Sequence, residues 1–114
     1  MELEFKTQAL AKHCTDEKTR RKKYGKIGGK RLGARLATLE AADSMQLIPH
    51  IPGNFHSLRA DRKGSWSCNL EHPHRLIFEP ANGELDAEGA LILSSVTKVL
   101  ITEIVDYHPR NQNH

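Results

Sequence analysis

Apolar and charged residues alternate from the start of the chain: Leu3 and Phe5 are interleaved with Glu2, Glu4 and Lys6. Period-two alternation predicts a short strand with one buried face. Thr7 then stands where a helix N-cap is needed, ahead of a short helix reaching about His13. Thr15-Asp16-Glu17 marks a second helix start, because acids there complement the positive end of the helix dipole. This helix is predicted to run to about Ala42, with Leu32, Leu36 and Leu39 at helical spacing to pack one face onto a sheet. Tyr24-Gly25-Lys26-Ile27-Gly28-Gly29 interrupts it, since each interior glycine costs up to ~1 kcal/mol relative to alanine. One bent helix and two helices with a break both fit.

Residues 43–54 carry Pro49, Pro52 and Gly53 and are predicted to be a connecting loop. Three short strands are expected next. The first, over 55–60, leads into a turn at 61–64. The second, over 65–70, sets Trp66, Cys68 and Leu70 on one face and Ser65, Ser67 and Asn69 on the other. After the turn Glu71-His72-Pro73, the third covers 74–79. Residues 80–93, with Asn82-Gly83 and Gly89, form the longest irregular stretch and are expected to be a mobile excursion. The last strand is apolar on both sides: Val99, Ile101 and Val105 alternate against Val96, Leu100 and Ile104. That pattern belongs inside a sheet, not at its edge. The strand ends in Asp106-Tyr107-His108, and residues 109–114 are expected to be a disordered tail. The predicted architecture is one α+β domain over residues 1–108. It is a small, mainly antiparallel twisted sheet with two N-terminal helices packed on one side.

Composition narrows the class. A 114-residue chain holds one domain with a modest core, and 38% hydrophobic with 27% charged residues is a soluble globular balance. No apolar run approaches the roughly 20 residues needed to span a bilayer, and the N-terminus lacks the apolar stretch of a secretory signal. Cys14 and Cys68 are far apart and in no paired motif, so no disulfide framework is expected and the cytoplasm is the expected location. Charge is uneven. Residues 1–35 hold eleven Lys/Arg against four acids, a balance of +7, whereas residues 36–114 hold six against ten, a balance of −4. A basic element on a mildly acidic body is a footprint for a polyanion. A solvated helix face, or a face for an acidic protein partner, explains the same charge.

Strand ends deliver side chains to sites, and a carboxylate, a phenol and an imidazole in succession are costly to hold on an apolar strand without a use. A solvated strand terminus is the plainer explanation for Asp106-Tyr107-His108. Upstream, His56, Arg59, Arg62 and Lys63 put an imidazole and three cations on or beside one hairpin. Arg75 sits beside Leu76, Ile77 and Phe78, where a guanidinium must be paired or meet an anion. A structural bridge to Glu79, Glu103 or Asp106 would satisfy it equally. Together these groups suit metal-independent RNA cleavage. That reaction needs a base for the 2′-hydroxyl, cations for the in-line phosphorane, and an acid for the 5′-oxygen. Histidines fill the proton roles, each worth typically ~10²–10⁴-fold, and arginines the electrostatic one.

Other chemistries fit less well. Cys68-x3-His72-x-His74 offers three zinc-capable groups around one turn, without a CxxC or HExxH frame. No phosphate-binding glycine loop, two-metal carboxylate cluster or nucleophile elbow is present. No metal or cofactor is expected.

Three motifs in order carry a resemblance: His56-Ser-Leu-Arg-Ala-Asp-Arg-Lys-Gly-Ser-Trp-Ser, then Arg75-Leu-Ile-Phe-Glu-Pro-Ala-Asn, then Val96-Thr through Glu103-Ile-Val-Asp106-Tyr107-His108. Lys-Lys-Tyr-Gly and Leu-Glu-Ala-Ala-Asp in the helical region fit as well. The chain resembles toxins of the RelE/ParE superfamily over nearly the whole domain, and most of all the HigB branch, which includes killer and plasmid-maintenance proteins. The resemblance implies a RelE-like fold and a type II toxin–antitoxin system. It implies a ribosome-dependent, metal-independent endoribonuclease (mRNA interferase) acting on mRNA in the A site of the 70S ribosome. A HigA-like helix-turn-helix antitoxin is the implied protein partner; the toxin alone is expected to be a monomer, with no membrane involved.

Residue by residue, the family's histidine falls on His56, its lysine on Arg59, which keeps the charge with different geometry, and its strand arginine on Arg75. The closing Asp-Tyr-His falls on Asp106, Tyr107 and His108. Departures are Ser57 for proline, Ala60 for glycine and His74 for an aromatic. The roles implied are shared acid–base work by His56 and His108, and phosphorane stabilisation by Arg75 and Arg59. Asp106 would orient a histidine or contact the 2′-hydroxyl, and Tyr107 would position a base. Arg62, Lys63, Lys22 and Lys23 are the further RNA-binding candidates. A ParE-type gyrase inhibitor without enzymatic activity, and a homologue that only binds antitoxin, are the alternatives.

Overall fold

Thr7 caps the first helix: its Oγ1 accepts from the Leu10 N–H at 3.0 Å, which starts α1 (Gln8–Thr15) directly after strand β1 (Glu2–Phe5). Asp16 ends α1 in extended backbone and caps the next helix, α2 (Glu17–Ala41), by accepting from the Thr19 N–H at 3.1 Å. The Thr19 hydroxyl, and after it the Thr19 amide, hold the Asp16 carboxyl below the usual carboxylate range. This computed structural model describes residues 1–58 and 64–106.

At Gly25 (φ 83°, ψ 173°) α2 breaks. A Cβ on Gly29 would lie 3.0 Å from the Arg21 Cα. Residues eight apart in a straight helix are separated by about 12 Å, so the chain folds back between the arms 17–24 and 26–41. Arg20 holds the fold-back. Its Nε donates to the Gly29 carbonyl at 3.0 Å and its Nη1 to the Cys14 carbonyl at 2.6 Å. Of the two possibilities left by the glycines, the break is the one that forms.

The second arm buries Leu32, Leu36 and Leu39 against Leu76, Phe78, Val99 and Ile101 of the sheet. Each such side chain contributes roughly 1.5–3 kcal/mol when fully removed from water. Residues 43–54 are more ordered than a connecting loop. Met45–His50 forms a 3₁₀ turn that buries Met45 and Ile48, three residues apart and therefore on one side of a three-residue-per-turn helix.

The remaining strands are β2 (His56–Ser57), β3 (Trp66–Asn69), β4 (His74–Pro80) and β5 (Lys98–Asp106). Their order is β1-β5-β4-β3-β2. β5 runs parallel to β1, and the other three pairings are antiparallel. The protein is thus α+β, and its described residues form a five-stranded mixed sheet with the helices on one face. β5 lies inside the sheet, as its two apolar sides require. Of the predicted strand 55–60, residues 59 and 60 lie outside the described residues, and within 55–58 β2 covers His56–Ser57. The stretch 80–93 is a hydrogen-bonded projection. Asn82 Oδ1 accepts from the Thr97 N–H at 3.0 Å, the Ser95 hydroxyl accepts from the Glu84 N–H at 2.8 Å, and Leu85 bridges Leu91.

One register shift decides which side chains face where. Phe78 pairs with Ile101, yet Ile77 pairs with Glu103, so Thr102 is an extra residue in β5. Its hydroxyl donates to the Ile77 carbonyl at 3.1 Å. A β-bulge of this kind reverses the alternation beyond it. Ile104 therefore packs on the helix side with Val99 and Ile101, in place of the predicted Val105.

Candidate functional site

On the helix-covered side of the sheet, Cys68 pairs with Leu76 and Leu76 with Ile104, all three within or against the core. Residues one step away along each strand face the opposite side. There the pairings His56–Ser67, Ser67–Ile77 and Ile77–Glu103 form one row across four strands, and Asn69–Arg75–Val105 form the next. Ser67 and Ile77 are fully buried and make the floor, while His56, Arg75 and Glu103 are half-buried above it. The Ser67 hydroxyl has no hydrogen-bond partner among the described residues.

His56 is held by the loop before it. Its Nδ1 lies 2.9 Å from the Asn54 carbonyl, and a carbonyl oxygen only accepts, so Nδ1 carries the proton. Nε2 is then the nitrogen left for chemistry. Asn54 takes the left-handed conformation (φ 57°), one of the few residue types that does so readily. The loop is tied down at Asn69, whose N–H donates to the Gly53 carbonyl at 2.9 Å and whose carbonyl accepts from Arg35 Nε at 2.8 Å. The histidine is thus oriented by backbone that is itself anchored to β3 and α2.

Asp106 does not join this face. It pairs with His74, which alternation with Leu76 places on the helix side, and the bulge at Thr102 brings Asp106 to that side. The His74 ring packs edge-on against Tyr24 of α2, 5.5 Å between centroids, with Lys23 Nζ 5.8 Å from the Tyr24 ring centre. Burial, and then the nearby Cys14 thiol, raise the Tyr24 phenol above its ordinary range. Lys22 and Lys23 are exposed on the 17–24 arm, in the helix layer and not beside His56 and Arg75. Arg59, Arg62, Lys63, Tyr107 and His108 lie outside the described residues.

Glu103 is the residue that sequence reasoning assigned no role beyond a structural bridge to Arg75. The only sign of it was a polar pair, Thr102-Glu103, within an apolar strand. Simple alternation would have turned Glu103 toward the core; the bulge turns it toward the row of His56.

Elsewhere, a cavity of about 670 Å³ lies between β1 and the helices, lined by Leu3, Phe5, Arg20, Arg21, Lys26 and Lys30 among others. It is on the helix side, away from His56 and Arg75. Cys68 of the zinc-like spacing is buried in the core, and burial pushes its thiol up to about 12, a poor state for a thiolate ligand. Among the described residues, no three His, Cys, Asp or Glu side chains are gathered to hold a metal ion, and no helix is long and apolar enough to cross a membrane. No protein-family model matches the chain, and no curated protein matches it.

Proposed function

We propose that the chain is a HigB-like toxin of the RelE/ParE superfamily, a ribosome-dependent endoribonuclease that cleaves mRNA without a metal. The observation that carries this is His56 and Arg75 in adjacent rows on the sheet face away from the helices. An oriented imidazole beside a guanidinium supplies a proton-transfer group and a cation for a pentacoordinate phosphate. The 2′-hydroxyl attacks the adjacent phosphorus, the bond to the 5′-oxygen breaks, and the products are a 2′,3′-cyclic phosphate and a 5′-hydroxyl. The basic segment 1–35 rides on ribosomal RNA, an attachment that weakens steeply with salt. A helix-turn-helix antitoxin is the proposed partner and the cytoplasm the proposed location.

The test is induced expression followed by mapping of mRNA 5′ ends. Codon-linked cuts from the wild-type chain that disappear in Arg75→Ala and His56→Ala support the proposal. DNA breaks without RNA cuts would identify a ParE-type gyrase inhibitor, and no phenotype would identify a homologue that only binds antitoxin.

A further inference from the structure

We infer that Glu103 is the carboxylate of this site and accepts the proton of the attacking 2′-hydroxyl, an inference that rests on the RNA-cleavage reading above. In-line displacement requires proton acceptor and proton donor on opposite sides of the phosphorus, with positive charge beside the equatorial oxygens. The sheet supplies that layout. His56 on β2 and Glu103 on β5 stand at the two ends of one row, and Arg75 on β4 projects from the neighbouring row between them.

The dimensions agree. Three inter-strand steps of about 4.8 Å put the His56 and Glu103 backbones about 14 Å apart. Attacking and leaving oxygens about 3.5 Å apart, with a hydrogen bond of about 2.8 Å at each end, need about 9 Å between the two catalytic atoms. Two side chains inclined toward each other would cover the remaining difference of about 5 Å. Asp106 does not meet the requirement, because the Thr102 bulge turns it to the helix side beside His74.

The step balances. The 2′-hydroxyl proton passes to the Glu103 carboxylate as the 2′-oxygen bonds to phosphorus. The 5′-oxygen leaves with the Nε2 proton of the His56 imidazolium, whose Nδ1–H still donates to the Asn54 carbonyl. Solvent then returns the proton from Glu103 to His56.

The experiment compares cleavage of ribosome-bound mRNA by the wild-type protein, Glu103→Gln, Glu103→Asp and Asp106→Asn, each checked for folding by circular dichroism. Glu103→Gln is expected to lose ~10²–10⁴-fold in rate at saturating protein. Glu103→Asp should recover part of that loss, and Asp106→Asn should stay within about threefold of wild type, since the carboxylate it alters is on the other face. If Glu103→Gln fails to fold, Glu103→Thr, a strand-favouring replacement, carries the comparison. A folded Glu103 variant without its carboxylate that cuts as fast as wild type, while His56→Ala and Arg75→Ala are silent, overturns the role of Glu103 and leaves the nuclease reading intact. Absence of any cuts by the wild-type protein overturns both.

Discussion

The two faces of the sheet share strands and differ by alternation alone, yet they are built for different ends. One face carries Cys68, Leu76, Phe78, Val99, Ile101 and Ile104 and is closed by α1 and α2. The other carries His56, Arg75 and Glu103 over a floor of Ser67 and Ile77. The difference teaches that the identity of each face is fixed beyond Thr102 by a single inserted residue. Were Thr102 paired in the ladder and not bulged out of it, Glu103 would enter the core and Ile104 would leave it.

The largest expected effect follows from that. Ile104→Asp puts a carboxylate on the helix side, where the bulge directs residue 104 and a buried charge without a partner costs ~3 kcal/mol or more. Val105→Asp, on the other face, should cost about 1 kcal/mol or less in calorimetry. Equal losses in the two variants would mean that the bulge does not set the faces.

The next contrast separates packing from chemistry. Phe78→Ala, on the closed face and edge-to-face with Phe55 at 6.3 Å, should lower unfolding free energy by ~3–5 kcal/mol in urea titrations. His56→Ala should change it by no more than about 1 kcal/mol while abolishing RNA cutting. Equal stability losses in the two variants would contradict the assignment of faces.

The helix layer was partly legible in advance and partly not. Thr7 announced the first cap and Thr15-Asp16-Glu17 the second helix start because capping chemistry is local, although the cap is Asp16 and Thr15 ends α1. The leucines at 32, 36 and 39 announced the packed face because helical period is local too. The fold-back at Gly25 was not legible, since glycine permits a positive φ without demanding it. Met45 and Ile48 were missed because a single 3₁₀ turn containing Pro49 has no periodicity to read. The parallel pairing of β1 with β5, the bulge at Thr102 and hence the placement of Asp106 and Glu103 depend on contacts between distant segments. On the candidate site, His56 and Arg75 were named from their chemistry and lie on one sheet face, whereas the place of Glu103 on that face needed the register.

Gly25→Ala tests the fold-back that lets the helices close one face only. Its φ of 83° and ψ of 173° lie in a region open essentially to glycine, so the substitution should cost ~1–3 kcal/mol in thermal or urea unfolding. RNA cutting by the folded fraction should be unchanged.

The smallest effect is a pH dependence confined to the closed face. Burial raises the Cys68 thiol to about 12 and the Cys14 thiol to about 11, from an ordinary value of 9.0. Both thiols are largely neutral in folded and unfolded chains up to about pH 8. Above it, ionisation favours the unfolded chain, so stability should fall as pH rises from 9 toward the folded values. Cys68→Ala should flatten that fall in urea titrations between pH 9 and pH 11; an unchanged slope would separate Cys68 from the alkaline loss.

The most direct measurement is a map of mRNA 5′ ends after brief induction, with the wild-type chain and Arg75→Ala expressed to the same level. New ends in phase with codons for wild type and none for Arg75→Ala are the predicted result. The same ends from both proteins, or from neither, would contradict an RNA-cleaving site on the His56–Arg75 face.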